Sequence, residues 1–328
     1  IKSLCRIDIE DTERCPHYGG ALVLGVKVAP SPRWVRYRLE SLGIRSISNV
    51  VDATNLLLLE TGHPTHAFDL DRLPGGRVLV RRAREAEQIV TLDGVERILS
   101  DDDLLITDGV RPIAVAGVMG GENTEISSQA TRVLLECAYF SARGIRRTSR
   151  RHGLHSEASH RFERGCDPEA LAHVLARGVK LIAELCGGQS ARGIILAGIE
   201  PAPRRSLRLR RRKMVSLLGL DVSLGRAESI LARLGCGVRP GASEDERQVT
   251  PPSFRPDLGR EEDLIEEVMR IEGLDAVPVS HRTVPPKTGR STPRTEQRVR
   301  SEAASLGLGE ALTYGFVAPR DLTALSAP

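Results

Sequence analysis

Aromatic residues are scarce: they fill 3% of the 328 positions, with a single Trp. That excludes a stacking platform of the kind that grips single-stranded nucleic acid by its bases. Net charge is small as well. Lys and Arg number 47 and Asp and Glu 43, a formal charge of +4, which excludes a histone-like or arm-like protein held by bulk charge. No apolar run approaches the ~20 residues of a membrane span; Leu56 to Leu59 is among the longest. Charges at Lys2, Arg6, Asp8 and Glu10 interrupt the start, so no signal peptide is expected. No C-x-x-C pair occurs among Cys5, Cys15, Cys137, Cys166, Cys186 and Cys236. With 40% hydrophobic residues the chain needs no disulfide staples, and the six are expected as reduced thiols in a cytoplasmic protein. Lysine is rare, five residues against 42 Arg. A GC-rich genome accounts for that; so does the use of guanidinium forks on phosphate and carboxylate.

What is present predicts about two domains at ~150 residues each and a mixed α+β class. Ala21 to Val28 is a strand-like apolar run. Arg77 to Arg82 alternates, with Val78 and Val80 on one face. Asp93-Gly94 lies between Ile89–Leu92 and Val95–Leu99, and Asp108-Gly109 between Leu104–Thr107 and Ile113–Ala116. A D-G pair between apolar runs signals a hairpin whose two central residues take positive φ. Arg132 to Glu136 is a further strand candidate. Asp167 as cap and Pro168 at the first helical position predict a helix carrying Leu171, Val174, Leu175, Leu181, Ile182 and Leu185, stopped by Gly187-Gly188. Around Pro201 and Pro203 the pattern breaks, and the basic run Arg204–Lys213 follows. The second unit has a strand over 206–211, a helix face of Ala227, Ile230, Leu231 and Leu234 ending at Gly235, and an acidic helix from about Glu261 to Ile271. Prolines 278, 285 and 286 read as a linker.

Two clusters invite chemistry. Projected at about 100° per residue, the 261–271 helix puts Leu264, Ile265, Val268, Met269 and Ile271 on one side and Asp263, Glu266 and Glu267 on the other. With Asp257 ahead of the first turn, these carboxylates suit a hard cation such as Mg²⁺; they equally suit a solvated acidic face near a helix N-terminus. His152, His155, His160 and Cys166 match no common zinc spacing. The arginines around them, Arg147, Arg150, Arg151, Arg161 and Arg164, point instead to a cationic, phosphate-facing segment.

Three stretches are specific enough to carry a resemblance: Asn49-Val-Val-Asp-Ala-Thr-Asn55 with Glu60-Thr-Gly-His-Pro-Thr-His-Ala-Phe-Asp69, Ala116-Gly-Val-Met-Gly-Gly-Glu122, and Arg151-His-Gly-Leu-His-Ser-Glu-Ala-Ser-His-Arg-Phe-Glu-Arg-Gly165. They resemble the B3/B4 region of the bacterial phenylalanyl-tRNA synthetase β subunit. The basic strand, the helix to Gly235 and Phe254-Arg-Pro-Asp257 with its acidic helix resemble the B5 domain that follows. The sequence departs from the family at His63, where Gln is common, and at Thr65, where Met is common. Residues from about 292 resemble the opening of a catalytic-like module, so the chain reads as an internal piece of that subunit.

The resemblance implies an editing domain over 1–200, a winged-helix-like B5 domain over 204–277, and a linker with the start of the catalytic-like α/β module over 278–328. It implies an α2β2 ligase in which the α subunit joins phenylalanine to tRNA(Phe) using ATP and Mg²⁺, while the B3/B4 region hydrolyses mischarged Tyr-tRNA(Phe). ATP serves the holoenzyme, not this chain. Carried over position by position, Glu136 accepts the tyrosine phenol, the Gly117 backbone supplies a second contact, and Ala158 leaves room for the substrate. His66, Thr54 and Asn55 stand near the ester and the terminal adenosine. Asp257, Asp263, Glu266 and Glu267 coincide with the family's Mg²⁺ carboxylates, shared with the α subunit. The residues themselves leave other roles open: a structural histidine for His66, a helix cap for Thr54-Asn55, an arginine salt bridge for Glu136. The competing function is a non-catalytic scaffold that docks tRNA or the α subunit. A phosphoryl-transfer enzyme is disfavoured, since no G-x4-G-K-[ST] loop accompanies the carboxylates.

Overall fold

A computed structural model describes residues 1, 3–277 and 293–325. The chain divides into two units, Ile1–Pro278 and Val279–Pro328. Of the second, helices Pro293–Ser305 and Pro319–Ala324 are described.

The first unit is a mixed α+β assembly built on two facing sheets. In one, Arg6–Ile9, Arg77–Arg82, Leu104–Thr107, Pro112–Val115 and Met119–Gly120 lie side by side in that order; the first pair is parallel and the rest antiparallel. In the other, the order is Gln189–Ser190, His17–Leu24, Arg132–Tyr139, Thr65–Asp69, and Ile195–Gly198 also pairs with His17–Leu24. The strand Arg132–Tyr139 is buried on both sides, which is why it reads as an almost unbroken apolar run. Alternation divides its side chains. Leu134 and Ala138, with Tyr18, Leu22 and Phe68, form a core with the first sheet. Val133, Leu135 and Cys137, with Ala21, Val23 and Ala67, pack on helices Arg33–Ser41, Asn49–Thr61 and Leu171–Cys186. Gly178 permits the last of these to lie against the sheet: a Cβ there would sit 2.4 Å from Leu135 Cδ2 and 2.7 Å from Leu57 Cδ2. The result is a sheet–sheet–helix sandwich.

Residues 207–274 build a separate core of Leu209, Met214, Ala227, Ile230, Leu231, Val249, Leu264 and Val268. A three-stranded antiparallel sheet, ordered Leu207–Arg210, Glu246–Thr250, Gly237–Pro240, carries helices Arg211–Leu218, Leu224–Arg233 and Glu261–Glu272. Helices before a two-stranded wing give the winged-helix-like arrangement.

Local chemistry alters several boundaries. Both D-G hairpins form, yet only the glycines take positive φ, 74° at Gly94 and 96° at Gly109. The aspartates instead accept backbone N–H groups, Asp93 from Val95 and Asp108 from Val110 and Arg111, which closes wider loops than a two-residue turn. The run 21–28 is broken by Gly25 at φ 72°, so the strand is His17–Leu24. The helix after Pro168 starts at Leu171, because Asp167 closes a turn on the Glu169 N–H rather than capping the helix. Thr54 and Asn55 do not cap anything: they lie inside Asn49–Thr61, which Ser48 caps. The strand expected over 206–211 ends at Arg210, and Arg211 opens a helix. The prolines of the expected linker, from 278 on, lie outside the described residues.

Candidate active site

Between the two sheets opens a cavity of about 440 Å³ whose lining is mostly apolar. Thr54, Asn55, His66, Gly117, Glu136 and Ala158, six residues singled out from the sequence, all line it. They come from five segments, so the site exists only when the sandwich is closed. The half of the Asn49–Asn55 stretch that does not line the cavity builds the scaffold. Asn49 accepts from Ala29 N–H at 3.0 Å and donates to the Lys27 carbonyl at 2.9 Å. Asp52, fully buried, accepts from Ser31 Oγ at 2.6 Å and Ile47 N–H at 2.9 Å, and from Ser46. These bonds fix the helix on whose next turn Thr54 and Asn55 sit.

Glu136 occupies the inner face of its strand, between Leu134 and Ala138. It is 6% exposed and forms no ion pair among the described residues, so the alternative of an arginine salt bridge has no partner there. Burial alone pushes its carboxyl up to about 8, so at neutral pH it is largely protonated. His66 is its direct cross-strand neighbour, which places the two Cβ atoms about 5 Å apart. Burial pushes the imidazole down to about 4, so it is neutral at pH 7. Its Nε2 is closed off from solvent without a hydrogen-bond partner, as is Thr65 Oγ1. His66 stacks edge-on against Phe68 at 4.5 Å.

Gly117 turns the chain at φ 67°, and a Cβ there would meet Ile145 at 2.7 Å and Phe140 at 2.8 Å. Thr54 is held by its own helix, its hydroxyl donating to the Val51 carbonyl at 2.7 Å. Ala158 lies on the short helix Glu157–Phe162, started by Ser156, whose Oγ accepts from Ser159 N–H at 3.0 Å and donates to the Val118 carbonyl at 2.6 Å. Ser156, Met119, Phe140 and Phe162 also line the cavity and were not singled out from the sequence. Ser156, Met119 and Phe162 lie within the stretches that carry the resemblance, and Ser156 also has a capping position, but which of these residues face the cavity depends on the closed sandwich.

The acidic helix is arranged differently from expectation. Arg255 stands between Asp257 and Glu267, at 2.6 Å and 2.7 Å, and Arg270 also reaches Glu267 at 2.6 Å. Glu267 is therefore buried rather than on an open acidic face. Asp263 accepts from the Gly259 and Arg260 N–H groups at 3.0 and 2.8 Å, capping its own helix. Among the described residues no group of three His, Cys, Asp or Glu side chains converges as a metal site, and Arg255 occupies the space between Asp257 and Glu267. The basic run is likewise tied down: Arg204 to Glu169, Arg210 to Glu261, Arg211 to Asp221 and Lys213 to Glu261. His152 is bound to Asp103 at 2.7 Å.

Residues 14–187 match the B3/4 domain family and residues 207–274 the tRNA synthetase B5 domain family. The class is thus a tRNA-synthetase chain of B3/4 and B5 domains. Over 337 residues it is 45% identical to the phenylalanine–tRNA ligase β subunit of Syntrophus aciditrophicus, covering 100% of this chain and 41% of that protein. It is 46% identical to the β subunit of Oleidesulfovibrio alaskensis (98% and 41%) and 47% identical to that of Anaeromyxobacter dehalogenans (98% and 40%). A solved N-terminal fragment of the phenylalanyl-tRNA synthetase β-subunit of Pyrococcus horikoshii aligns at 16% identity and a TM-score of 0.37, over 80% of this chain and 72% of that one. The chain belongs to the phenylalanine–tRNA ligase β-subunit family. It spans about two fifths of the length of the curated relatives it matches. Among the described residues no helix is long and apolar enough to cross a membrane.

Proposed function

We propose that the cavity is a proofreading site that hydrolyses the ester of Tyr-tRNA(Phe), within a ligase whose α subunit charges tRNA(Phe) with phenylalanine using ATP and Mg²⁺. The carrying observation is Glu136, a lone carboxyl buried in an apolar wall. A pocket shaped for phenylalanine cannot strongly reject an analogue that only adds a hydroxyl, so discrimination needs a second site that selects for the hydroxyl. A tyrosine phenol donates its O–H to Glu136 and satisfies it. Phenylalanine would bury the same group unpaired, at a cost of about 1–3 kcal/mol or more.

An aminoacyl ester is already activated, so placing water against its carbonyl supplies much of the rate. His66, neutral and lining the cavity beside Glu136, stands at the reacting end. Its low basicity suits orientation of water or ribose hydroxyl better than full proton abstraction. Thr54 and Asn55 offer polar groups beside it. Magnesium enters this reading only with the assembled ligase, since Asp257 and Glu267 hold Arg255 here.

The test follows ester loss from Tyr-tRNA(Phe) and Phe-tRNA(Phe) with the parent chain and Glu136→Ala. Selective loss of the tyrosyl ester, abolished by the substitution, is the expected result. Salt-dependent tRNA binding with no turnover, in the chain and in the complete ligase, would favour the scaffold reading.

A further inference from the structure

The helix Ala142–His152 lies behind the cavity lining at Gly117. Its inner face is Ile145, Thr148 and Ser149, and Ile145 backs directly onto Gly117, as the 2.7 Å separation from a Cβ built there shows. The outer face is different in kind. Arg143, Arg146, Arg147, Arg150 and Arg151 are all exposed and recur at i, i+3, i+4, i+7 and i+8, one stripe along the helix.

The carboxylates that face this stripe are Asp102 and Asp103. Asp102 engages Arg147 at 3.6 Å, Arg151 at 3.1 Å, and Arg14. Asp103 is fully buried and holds Arg151, Thr148 and His152. These contacts clamp the helix at its C-terminal half. Arg143, Arg146 and Arg150 have no ion pair among the described residues. Elsewhere the arginines of dense basic runs are mostly tied to carboxylates, as in 204–213. The stripe also lacks the apolar and aromatic anchors that centre a protein–protein contact. Planar guanidiniums with unused donors, repeated along one face, fit a polyanion.

Arg143 to Arg150 spans about 10 Å of helix, the reach of about two or three successive phosphates on one strand. We infer that this face is a docking track for the sugar–phosphate backbone of the RNA whose aminoacylated end enters the cavity. It rests on the proofreading reading for the identity of that RNA. The surface itself stands on the geometry of the helix.

The test compares the chain with the triple variant Arg143→Ala, Arg146→Ala, Arg150→Ala on two esters: Tyr-tRNA(Phe), and tyrosyl-adenosine, which has no neighbouring phosphates. KM for the tRNA should rise roughly 10- to 100-fold with kcat unchanged, and the slope of log KM against log salt should fall by roughly 2–3. Hydrolysis of tyrosyl-adenosine should not change, and Lys at the three positions should restore most of the loss. An unchanged KM and salt slope overturn the inference; so does an equal loss on both esters, which would mean a distorted pocket. If the parent hydrolyses neither ester, the proofreading reading fails, and filter binding of tRNA across a salt series decides the track alone. Weaker binding with a shallower slope in the triple variant supports it, and equal binding overturns it.

Discussion

Replacing Glu136 by Gln keeps the shape of the cavity floor and removes its titration, so the two chains should differ in how stability depends on pH. The carboxyl is raised from 4.5 to about 8 by burial. Between those values the unfolded chain gives up the proton while the folded chain keeps it, so the parent loses stability as pH rises. Its stability from this group is fully present below about pH 4.5 and is lost progressively up to about pH 8. One pH unit corresponds to about 1.4 kcal/mol. From pH 4.5 to 7 the loss is therefore roughly 3 kcal/mol, and it levels off above pH 8. Glu136→Gln has no such term. Measured by urea unfolding followed by circular dichroism at pH 5, 6, 7 and 8, the variant should gain on the parent by about 1 kcal/mol or more per unit. A difference that stays constant across this range would refute the argument, since Glu136 would then be ionised and satisfied in the folded chain.

Other outcomes follow from the same geometry. Ala158→Trp should fill the cavity and lower tyrosyl-ester hydrolysis at least roughly 100-fold, with stability within about 1 kcal/mol of the parent because Ala158 lies on a half-exposed helix; retained turnover would show that the ester does not enter here. Gly117→Ala should cost roughly 2–4 kcal/mol, from the left-handed backbone plus the clash with Ile145 and Phe140, and a loss under about 1 kcal/mol in chemical denaturation would contradict it. His66 is held at about 4, so the pH–rate profile of ester hydrolysis should show no limb near pH 6.5 that disappears in His66→Ala. Burial of the neutral ring also means that stability from His66 is present above about pH 6.5 and is lost as pH falls toward 4. Arg255→Ala should release Asp257 and Glu267 and tighten Mg²⁺ binding in isothermal titration; equal affinity for parent and variant would count against the arginine as the group in the way.

Periodicity and punctuation placed part of the fold; helices Arg33–Ser41, Asn49–Thr61 and Ala142–His152 were not read from them. The alternation of Arg77–Arg82, the D-G hairpins and the helical stripe from Leu171 are local signals, and each reappears in the fold. Turn geometry was less legible, because an aspartate that accepts its neighbours' N–H groups competes with the two-residue turn the D-G pair suggests. The parallel strand Arg6–Ile9 carries too short a pattern to be read alone.

Residue types and their local order are legible without the fold: a glutamate in a strand-like apolar run, a histidine after a glycine–proline turn, arginines clustered around residue 150. Tertiary structure decided their chemistry. Strand pairing set Glu136 opposite His66, and closure of two sheets over them withdrew the solvent that would have kept one ionised and the other near its ordinary basicity. Likewise, spacing alone gave the acidic helix a face of converging carboxylates, but packing inserted Arg255 between Asp257 and Glu267, because a buried carboxylate is stable only with a partner.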